Sequence, residues 1–341
     1  MKVATVGCGY FSHFHHQAWQ RLEVELVGVC DLDAKRAEDF RHQYGIAQAF
    51  DNFSDMLSAA KPDLVDIILP PDQHFPHIMH AAKHGADIIC QKPFTQCLSK
   101  ARQAVDIAES ANIKLVVHEN FRFQPWYRLI KTLLDKGLLG RLFAARFLLR
   151  PGDGQGKDAY LNRQPYFQRM DRFLIRETGI HFIDVFRFLL GEPESVYADL
   201  QRLNPCIRGE DAGQFILDFP AQLRAMFDGN RLVDHLAQDL RLTMGELIIE
   251  GECGVLRLDG NGHMWHRIKG SNEEVQLELH FDHSRYGGDC VYALQKHVLE
   301  CLVKGETPEN LASDYIRNLE IQEAIYRSNQ THRKVTLVSQ T

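Results

Sequence analysis

The first 120 residues alternate between short apolar runs and longer amphipathic segments. The runs predicted as strands are Val3–Val6, Glu25–Cys30, Leu64–Leu69, Asp87–Cys90 and Lys114–Val117. Between them, Asp33–Tyr44 and Leu98–Ser110 are helix-like, and Leu98–Ser110 carries apolar residues at helical spacing. Strands that are apolar throughout and separated by helices indicate a parallel sheet that helices cover on both faces. The pattern therefore predicts an α/β fold for this part of the chain.

After Pro125 the pattern becomes that of an antiparallel sheet with a few helices. From Ser195 to about Leu279, strand-like runs are bounded by Gly, Asn, Pro and Asp. The other predicted elements here are the helices Trp126–Lys136, Thr178–Leu190, 287–303 and 313–328 and the strand Arg141–Arg150. A chain of 341 residues is long enough for two hydrophobic cores, and we expect one domain at 1–120 and another at 121–341.

The composition is that of an ordinary soluble globular protein and does not suggest a polyanionic partner. Apolar residues make up 45% of the chain and charged residues 25%, which differs from a disordered composition. The formal net charge is −6, and no long block of Lys or Arg occurs. We therefore expect neither a nucleic-acid partner nor an anionic membrane partner.

The cysteines and the first residues favour a cytoplasmic location. The eight cysteines are scattered and form no C-x-x-C pair, which fits free thiols in a reducing compartment. The sequence begins MKVATVGCGYF, with neither a signal-peptide pattern nor a twin-arginine signal. A run of 18 apolar residues, as a membrane span would need, is absent from the sequence.

The segment VATVGCGYFS is predicted as a strand, a glycine turn and the start of a helix. Gly7 permits the tight turn, and Gly9 lets a backbone approach a pyrophosphate. The N–H groups from Tyr10 and Phe11 onward, with the helix dipole, favour that anion. Ser12 stands where the dinucleotide fingerprint has its third glycine, so a purely structural turn is the alternative.

An acidic residue at the end of the next strand supports the dinucleotide interpretation. Asp31 lies 24 residues beyond Gly7, about where a carboxylate receives the adenosine ribose diol. A carboxylate at this place also repels a 2′-phosphate, which favours NAD over NADP. Lys35 and Arg36 are near enough in sequence to leave NADP open as the alternative.

Two more segments are expected at the same edge of the sheet. The segment ILPPDQHF, with Leu69, Pro70 and His74, follows one apolar run, and CQKPF, with Gln91 and Lys92, ends the next. Ligands of open α/β sheets bind at the carboxyl ends of the strands. We therefore expect these residues at the cofactor, with Lys92 near its nicotinamide end.

A second chemical signal is the segment ETGIHFID. Glu177, His181 and Asp184 are spaced i, i+4 and i+7, so on a helix they share one stripe of an otherwise apolar surface. Burying such groups without partners is costly. One interpretation is a structural histidine with a capping glutamate. The other is a general base, His181, that a neighbouring carboxylate orients.

Two other polar clusters are not expected to carry chemistry. His13, His15 and His16 lie on the first helix without a carboxylate or cysteine at ligand spacing, so no metal site is predicted. The segment RGED, Arg208–Asp211, is interpreted as a solvated turn between strands.

In this order, the glycine turn, Asp31, the Lys-Pro strand end and the carboxylate-x-x-x-His helix resemble the Gfo/Idh/MocA oxidoreductase family. The likeness covers essentially the whole chain and includes IRNLEIQEAIYRS near its end. It implies a Rossmann domain, then an α/β domain with an open, mostly antiparallel sheet that binds substrate and forms a homodimer or homotetramer. Within the family, ICQKPF, VHENFRFQP and NPCIRGED are most similar to D-apiose dehydrogenase-like sugar dehydrogenases.

The family motifs map onto this chain with two departures. The Glu-Lys-Pro motif falls on Gln91-Lys92-Pro93, so an amide replaces a carboxylate beside the lysine. The helical Asp-x-x-x-His motif falls on Glu177 and His181, where glutamate adds one methylene of reach. Neither change removes a group that can transfer a proton.

The resemblance implies NAD-dependent oxidation of a sugar or polyol that binds between the two domains. His181 would accept the hydroxyl proton, Lys92 would stabilise the developing alkoxide, and Glu177 would orient the substrate or relay its proton. Arg122 and Arg163 are candidates for substrate contacts. Three alternatives stay open: an NAD-dependent glycoside hydrolase of the same family, a non-catalytic dinucleotide-binding regulator, and a reductase that works in the opposite direction.

Overall fold

The computed structural model describes residues 1–338, and they form two compact units. The first unit comprises Met1–Asn120 and Val291–Arg317, and the second comprises Phe121–Cys290 and the chain from Asn318 onward. The predicted division at residue 120 had placed the whole of 121–341 in the second domain. The structure instead adds Val291–Arg317 to the first unit, and residues 339–341 of the predicted domain lie outside the described residues.

Polar contacts explain why the late segment joins the first unit. Asn310 donates from Nδ2 to the backbone oxygen of Glu119 at 2.7 Å, and the Tyr315 hydroxyl donates to Glu119 Oε2 at 3.1 Å. Gln295 donates from Nε2 to Asp66 Oδ2 at 3.3 Å. These pairs are separated by about 190 residues or more in sequence, so local patterns could not predict them.

The first unit contains a wholly parallel sheet, with six strands among the described residues, in the order β3-β2-β1-β4-β5-β6. Its strands are β1 (Lys2–Val6), β2 (Glu25–Cys30), β3 (Ala49–Phe50), β4 (Leu64–Ile67), β5 (Asp87–Gln91) and β6 (Leu115–His118). The helices along residues 1–120 are α1 (Ser12–Trp19), α2 (Ala34–Tyr44), α3 (Phe53–Ala60), α4 (Pro71–Lys83) and α5 (Leu98–Ser110). This strand order is that of a dinucleotide-binding doubly wound sheet.

The first sheet confirms the predicted Rossmann-type architecture and adds one strand. All five predicted strands are present, whereas β3, with two residues, was too short for a periodic signal. Every residue of β4 and β6 is buried, as expected for a sheet covered on both faces. The predicted helix at 33–44 is α2, and Asp33 caps it by accepting the N–H groups of Lys35 and Arg36.

The second unit contains a mixed sheet, with nine strands in the described part of the chain, in the order β14-β13-β12-β11-β7-β10-β9-β8-β15. The strands are β7 (Leu142–Leu149), β8 (Ser195–Gln201), β9 (Ala212–Asp218), β10 (Arg224–Asn230), β11 (Gly245–Gly251), β12 (Gly254–Leu258), β13 (Met264–Ile268), β14 (Val275–Leu277) and β15 (Val335–Thr336). Strands β7 and β10 pair in parallel, and the other recorded pairs are antiparallel. The mostly antiparallel sheet that the sequence predicted is confirmed.

The remaining helices fall close to their predicted positions. They are α6 (Pro125–Asp135), α7 (Ile180–Leu190), α8 (Cys290–Lys304) and α9 (Ala312–Thr331). A π-helical turn, Leu174–Gly179, precedes α7, so the predicted helix start at Thr178 lies inside that turn. Among residues 1–338, no helix is long and apolar enough to cross a membrane.

Helix α7 is packed on the second sheet by aromatic side chains. Phe182 stacks on Phe147 of β7 with ring centroids 3.8 Å apart, and its ring lies 5.3 Å from that of Phe227 on β10. Buried side chains alternate with exposed ones in the second half of β7 and with half-buried ones along most of β10. This period of two selects the face that packs against α7.

A buried ion pair fixes the middle of α7. Asp184 is fully buried and accepts two hydrogen bonds from Arg122, at 2.8 and 2.6 Å. Asn318 of α9 donates to the same carboxylate at 2.7 Å. The acid that the sequence placed on an apolar helix therefore has its partners, as the cost of burying a charge requires.

We expect Asp184→Ala to lower the free energy of unfolding by about 3–5 kcal/mol, because it leaves the Arg122 guanidinium buried without its carboxylate. The matched control is Asp135→Ala, which removes the exposed Lys131–Asp135 pair of α6 and should cost less than about 1 kcal/mol. Denaturant titration measures both values. Equal effects of the two substitutions would contradict the structural role given to Asp184.

Candidate functional site

The glycine turn after β1 requires glycine at its first position. Gly7 has φ +101°, and a Cβ on it would lie 2.2 Å from the backbone oxygen of Ile68. Its N–H donates to the Cys30 oxygen at 2.8 Å, which ties the turn to the end of β2. A Cβ on Gly9, by contrast, would meet no described atom within 4 Å. Gly9 thus offers open backbone where the fingerprint predicts a close approach of the pyrophosphate.

The carboxylate of Asp31 connects this turn to the start of α2. Asp31 Oδ2 accepts the backbone N–H of Cys8 at 2.8 Å, and Oδ1 accepts that of Asp33 at 3.0 Å. Arg36 Nη1 lies 3.9 Å from Asp31 Oδ1, and the Asp31 side chain is 14% exposed. Burial, together with Asp31, raises the pKa of the Cys8 thiol to about 12, so the thiol stays neutral beside the turn. These two hydrogen bonds thus hold the Asp31 carboxylate beside the glycine turn, where the sequence predicts the ribose acceptor.

Two aromatic side chains follow the glycines. Tyr10 is 45% exposed and packs edge-on against Phe14 of α1, with centroids 5.7 Å apart. Phe11 packs edge-on against the ring of His15, at 5.5 Å. The backbone N–H groups predicted to face the pyrophosphate therefore belong to residues whose side chains are held by α1.

The predicted His74 lies beneath the loop after β4. It is fully buried, and its ring nitrogens lie 2.7 Å from the Leu69 oxygen and 2.9 Å from the Phe94 oxygen. Burial lowers the pKa of this imidazole. His74 therefore joins the loops after β4 and β5, while Leu69 and Pro70 form the loop itself between β4 and α4.

Gln91 and Lys92 end β5. Gln91 is 7% exposed, and its Oε1 accepts the backbone N–H of Lys92 at 2.7 Å. The Lys92 side chain is half-buried, and the Lys92–Pro93 peptide bond is cis. The residue where the family motif has glutamate thus makes a direct hydrogen bond to the backbone of the lysine.

The parallel sheet gathers the predicted cofactor residues. Gly7 follows β1, Asp31 follows β2, Leu69 follows β4, and Gln91 ends β5. Because the strands are parallel, all of these positions lie at the carboxyl edge of one sheet. The open backbone at Gly9 and the partly exposed carboxylate of Asp31 fit a dinucleotide with a free ribose diol.

In the second unit, His181 lies in the first turn of α7. It is 4% exposed, and its ring stacks on Phe121 at 3.8 Å with an interplanar angle of 4°. A stacked ring loses rotational freedom, so its nitrogens keep fixed directions. Such a ring suits either interpretation that the sequence left open, a structural histidine or an oriented base.

Glu177 lies in the π-helical turn before α7, and Glu210 holds that turn. The Glu210 backbone oxygen accepts the N–H of Leu174 at 2.9 Å, and its Oε1 accepts the N–H of Ile175 at 3.2 Å. The Tyr326 hydroxyl donates to the same Oε1 at 2.6 Å. Turns of this kind are frequent at functional sites.

The interpretation of RGED as a solvated turn was therefore wrong for its two acids. Glu210 is 9% exposed, and Asp211 is fully buried and accepts the N–H groups of Leu203 and Asn204. Acids between polar turn residues resemble a solvated loop, and their backbone partners are distant or fold-dependent. The sequence carried no signal that separates the two cases.

A buried arginine joins the π-helical turn to the loop after β7. Arg231 is 1% exposed, and its Nη1 donates to Thr178 Oγ1 at 2.7 Å. Its Nε and Nη2 donate to Asp153 at 3.1 and 2.8 Å, and Nε also donates to the Tyr160 hydroxyl at 2.8 Å. Burial alone would raise the pKa of Asp153, but Arg231 and Arg163 outweigh it and hold that pKa below its usual value.

The two predicted substrate arginines have different environments. Arg163 donates from Nη2 to Asp153 at 3.1 Å, and its side chain is 25% exposed. Arg122 is 8% exposed and holds Asp184 with two hydrogen bonds. Arg163 therefore has exposed surface that can contact a ligand, whereas Arg122 anchors α7 through Asp184.

The histidines of α1 have structural partners. His13 Nδ1 lies 2.6 Å from the Tyr44 hydroxyl, and His16 Nε2 lies 2.9 Å from Thr5 Oγ1. Burial lowers the pKa of His16 to about 4. In the part of the chain that the structure describes, no cluster of His, Cys, Asp and Glu could hold a metal ion.

Sequence reasoning missed two buried residues behind Lys92. His15 Nδ1 lies 2.7 Å from Asp66 Oδ2, and His15 Nε2 lies 3.0 Å from Gln91 Nε2. Asp66 is a carboxylate within the fully buried strand β4. An acid inside an apolar strand is the one signal in the sequence that could have pointed to this cluster.

Substitution of alanine for each of the two glycines should affect a different property of the protein. Gly9→Ala should leave the melting temperature of the free protein unchanged and weaken NAD binding about 10-fold or more, because a methyl group would occupy the open backbone. Gly7→Ala should lower the melting temperature itself, because its Cβ would clash with Ile68. Calorimetry and NAD titration measure the two quantities. Loss of stability in Gly9→Ala with unchanged NAD affinity would contradict this assignment.

Two family models match the chain in succession. Residues 1–119 match the Gfo/Idh/MocA model described as an oxidoreductase family with an NAD-binding Rossmann fold. Residues 127–257 match a Gfo/Idh/MocA C-terminal domain. The predicted NAD-binding Rossmann domain is thereby confirmed.

Similarity to known proteins extends over almost the whole chain. The D-apiose dehydrogenase of Paraburkholderia graminis is 31% identical, over 99% of this chain and 90% of that protein. The D-apiose dehydrogenase of Rhizobium rhizogenes is 29% identical, over 99% of this chain and 97% of that protein. An Agrobacterium radiobacter oxidoreductase solved with NAD+, L-tartaric acid and magnesium is 29% identical, with a TM-score of 0.89 and 98% of both chains covered. The chain therefore belongs to the Gfo/Idh/MocA family of NAD-binding oxidoreductases.

Proposed function

We propose that this protein is an NAD-dependent dehydrogenase that oxidises a hydroxyl group of a sugar, a polyol or a related carbohydrate. The observation that carries the proposal is the near full-length similarity to two D-apiose dehydrogenases. The geometry of the glycine turn, of Asp31 and of the strand end at Lys92 supports it. D-Apiose is accordingly the first sugar to test.

In the proposed reaction the substrate loses a proton and a hydride, and a carbonyl group forms. His181 accepts the hydroxyl proton, since its stacked ring holds the nitrogens in fixed directions. The Lys92 ammonium donates a hydrogen bond to the same oxygen and stabilises its developing negative charge. NAD, when bound, accepts the hydride from the carbon. Glu177 orients the substrate or relays the proton from His181.

The residues at the carboxyl edge of the first sheet would bind the cofactor. The backbone of Gly7, Gly9, Tyr10 and Phe11 would face the pyrophosphate, and Asp31 would receive the adenosine ribose. The loop with Leu69 and Pro70 and the strand end with Gln91 and Lys92 would line the rest of the cofactor site. His74 supports these two loops from beneath.

The second unit would bind the substrate and form the oligomer. Arg163, beside Asp153, remains the candidate for a polar substrate contact, while Arg122 acts through Asp184 and α7. A homodimer or homotetramer and a cytoplasmic location stay predictions from the sequence.

A panel of free aldoses and polyols with NAD, beginning with D-apiose, tests the proposal through NADH absorbance. We expect NADH formation with at least one of these compounds. Cleavage of an aryl glycoside without net NADH would instead identify the glycoside hydrolase. NAD binding without turnover of any sugar or glycoside would favour a regulator.

With an accepted sugar, Lys92→Ala and His181→Ala should each lose turnover by ~10²-fold or more and still bind NAD. The reason is that each substitution removes a group that acts on the reacting oxygen. Lys83→Ala and His280→Ala, which change exposed residues, serve as matched controls and should remain fully active. Near-normal turnover in both Lys92→Ala and His181→Ala would sink the catalytic assignment.

Asp31→Asn should lower the ratio of kcat/KM for NAD to kcat/KM for NADP by roughly 10- to 100-fold. The substitution removes the charge that binds the ribose diol and repels a 2′-phosphate, and Arg36 is already 3.9 Å away. Asp33→Asn is the control, because asparagine still caps α2. An unchanged ratio in Asp31→Asn would refute the ribose role.

A further inference from the structure

A chain of buried side chains connects Asp66 to the backbone of Lys92. His15 Nδ1 lies 2.7 Å from Asp66 Oδ2, His15 Nε2 lies 3.0 Å from Gln91 Nε2, and Gln91 Oε1 lies 2.7 Å from the Lys92 nitrogen. Asp66 and His15 are fully buried, and Gln91 is 7% exposed. Strands β4 and β5 and helix α1 are thus linked directly behind the lysine.

The chemistry of the groups fixes the direction of every hydrogen bond in this chain. The backbone N–H of Lys92 can only donate, so the Gln91 oxygen must face it and the Gln91 amide nitrogen must face His15. The amide nitrogen can only donate, so His15 Nε2 must be an acceptor without a proton. The single proton of the ring is then on Nδ1, from which it donates to Asp66 Oδ2. His15 is therefore neutral, in one tautomer.

Asp66 is held as the anionic end of the chain. Trp19 Nε1 donates to Asp66 Oδ2 at 2.8 Å, and Gln295 Nε2 donates to it at 3.3 Å. Burial raises the pKa of Asp66, whereas the hydrogen bonds from His15 and Trp19 lower it. The carboxylate thus remains an acceptor for the Nδ1 proton of His15.

Several polar or titratable groups face the His15 ring. They are Asp66 of β4, Gln91 at the end of β5 and His118 of β6, whose ring centroid is 4.1 Å away; Gln295 of α8 donates to Asp66, and His16 is the next residue of α1. Burial lowers the pKa of His16 to about 4, so that ring adds no charge beside His15. The neutral ring of His15 follows from the hydrogen-bond directions.

We propose that His15 and Gln91 are positioning residues that hold the backbone of Lys92 through this chain, and that glutamine at position 91 keeps His15 neutral. The proposal rests on the proposed function only in that Lys92 acts on the substrate. Gln91 therefore does more than lack the carboxylate of the family motif. Its amide N–H donates to the unprotonated Nε2 of His15, which a glutamate carboxylate could not do.

The proposal predicts that positions 15 and 91 are coupled. A glutamate at 91 would accept both the Lys92 N–H and a proton on His15 Nε2, so His15 would become an imidazolium between two carboxylates. Without His15, the same glutamate would be buried without that donor, which is costly. Gln91→Glu should therefore be tolerated with His15 present and damaging without it.

The protonation of His15 can be measured independently of activity. In protein labelled with 15N histidine, the His15 signals are those lost in His15→Gln. We expect one protonated nitrogen, Nδ1, in the wild type at pH 7 and two in Gln91→Glu. A wild-type ring with its proton on Nε2, or a ring unchanged by Gln91→Glu, would overturn the proposed chain.

The positioning role is tested by the turnover of four proteins: the wild type, Gln91→Glu, His15→Gln and the variant that carries both substitutions. We expect Gln91→Glu to lower kcat by less than about 5-fold and Gln91→Glu/His15→Gln to lose about 10-fold or more beyond the product of the single effects. His16→Gln, which removes another buried histidine bond of α1, is the structural control and should lower stability without changing kcat. Additive effects, or an equal loss of kcat in His16→Gln, would overturn the positioning role.

The two measurements separate this proposal from the proposed function. Near-normal turnover of Lys92→Ala would contradict the proposed catalytic role of the lysine but leave the His15 nitrogen signals as predicted. Nitrogen signals that differ from the prediction, with Lys92→Ala inactive, would overturn the hydrogen-bond chain alone.

Discussion

The parallel pairing of β1, β2, β4 and β5 is the constraint on which the cofactor site depends. Each strand delivers one group to the same edge: a glycine turn, the Asp31 carboxylate, a loop, and the Lys92 backbone. Side chains then lock these ends to one another. Asp31 binds the N–H of Cys8, and Gln91 binds that of Lys92. Residues as far as 85 positions apart in sequence therefore meet at one edge of the sheet, and no local sequence pattern predicts that they do so.

In the second unit, buried polar and charged side chains hold the π-helical turn Leu174–Gly179 in place. A π-helical turn leaves backbone groups outside the regular helical pattern, and Glu210 accepts two of them. Arg231 ties the same turn to Asp153, and Arg122 fixes α7 one turn further on. Buried charges are expensive unless they are paired. These paired buried charges hold the π-helical turn with Glu177 and the first turn of α7 with His181. Their contribution is to the geometry of these turns more than to the stability of the fold.

Most of the fold was predictable because its strongest signals are local. Apolar runs gave the strands β1, β2, β4, β5 and β6, and the spacing of glycines gave the turn after β1. The short strand β3 and the π-helical turn before α7 had no distinct local pattern, and the other failures involve contacts that form only in the folded chain. The return of Val291–Arg317 to the first unit, the burial of Glu210 and Asp211, and the pairing of His15 with Asp66 each depend on partners that only the folded chain brings near. Neither a histidine on a helix nor an acid in a strand predicts by itself that the two side chains will be hydrogen-bonded in the folded protein.

The central claim is that this protein moves a hydride from a carbohydrate carbon to NAD. The most direct measurement uses an accepted sugar that carries deuterium on every carbon, and follows the label by mass spectrometry. We expect NADH with one deuterium at C4 of the nicotinamide and an oxidised sugar that has lost one deuterium, in equal amounts. Reduced cofactor without deuterium, or a product whose deuterium content is unchanged while no NADH accumulates, would contradict the claim.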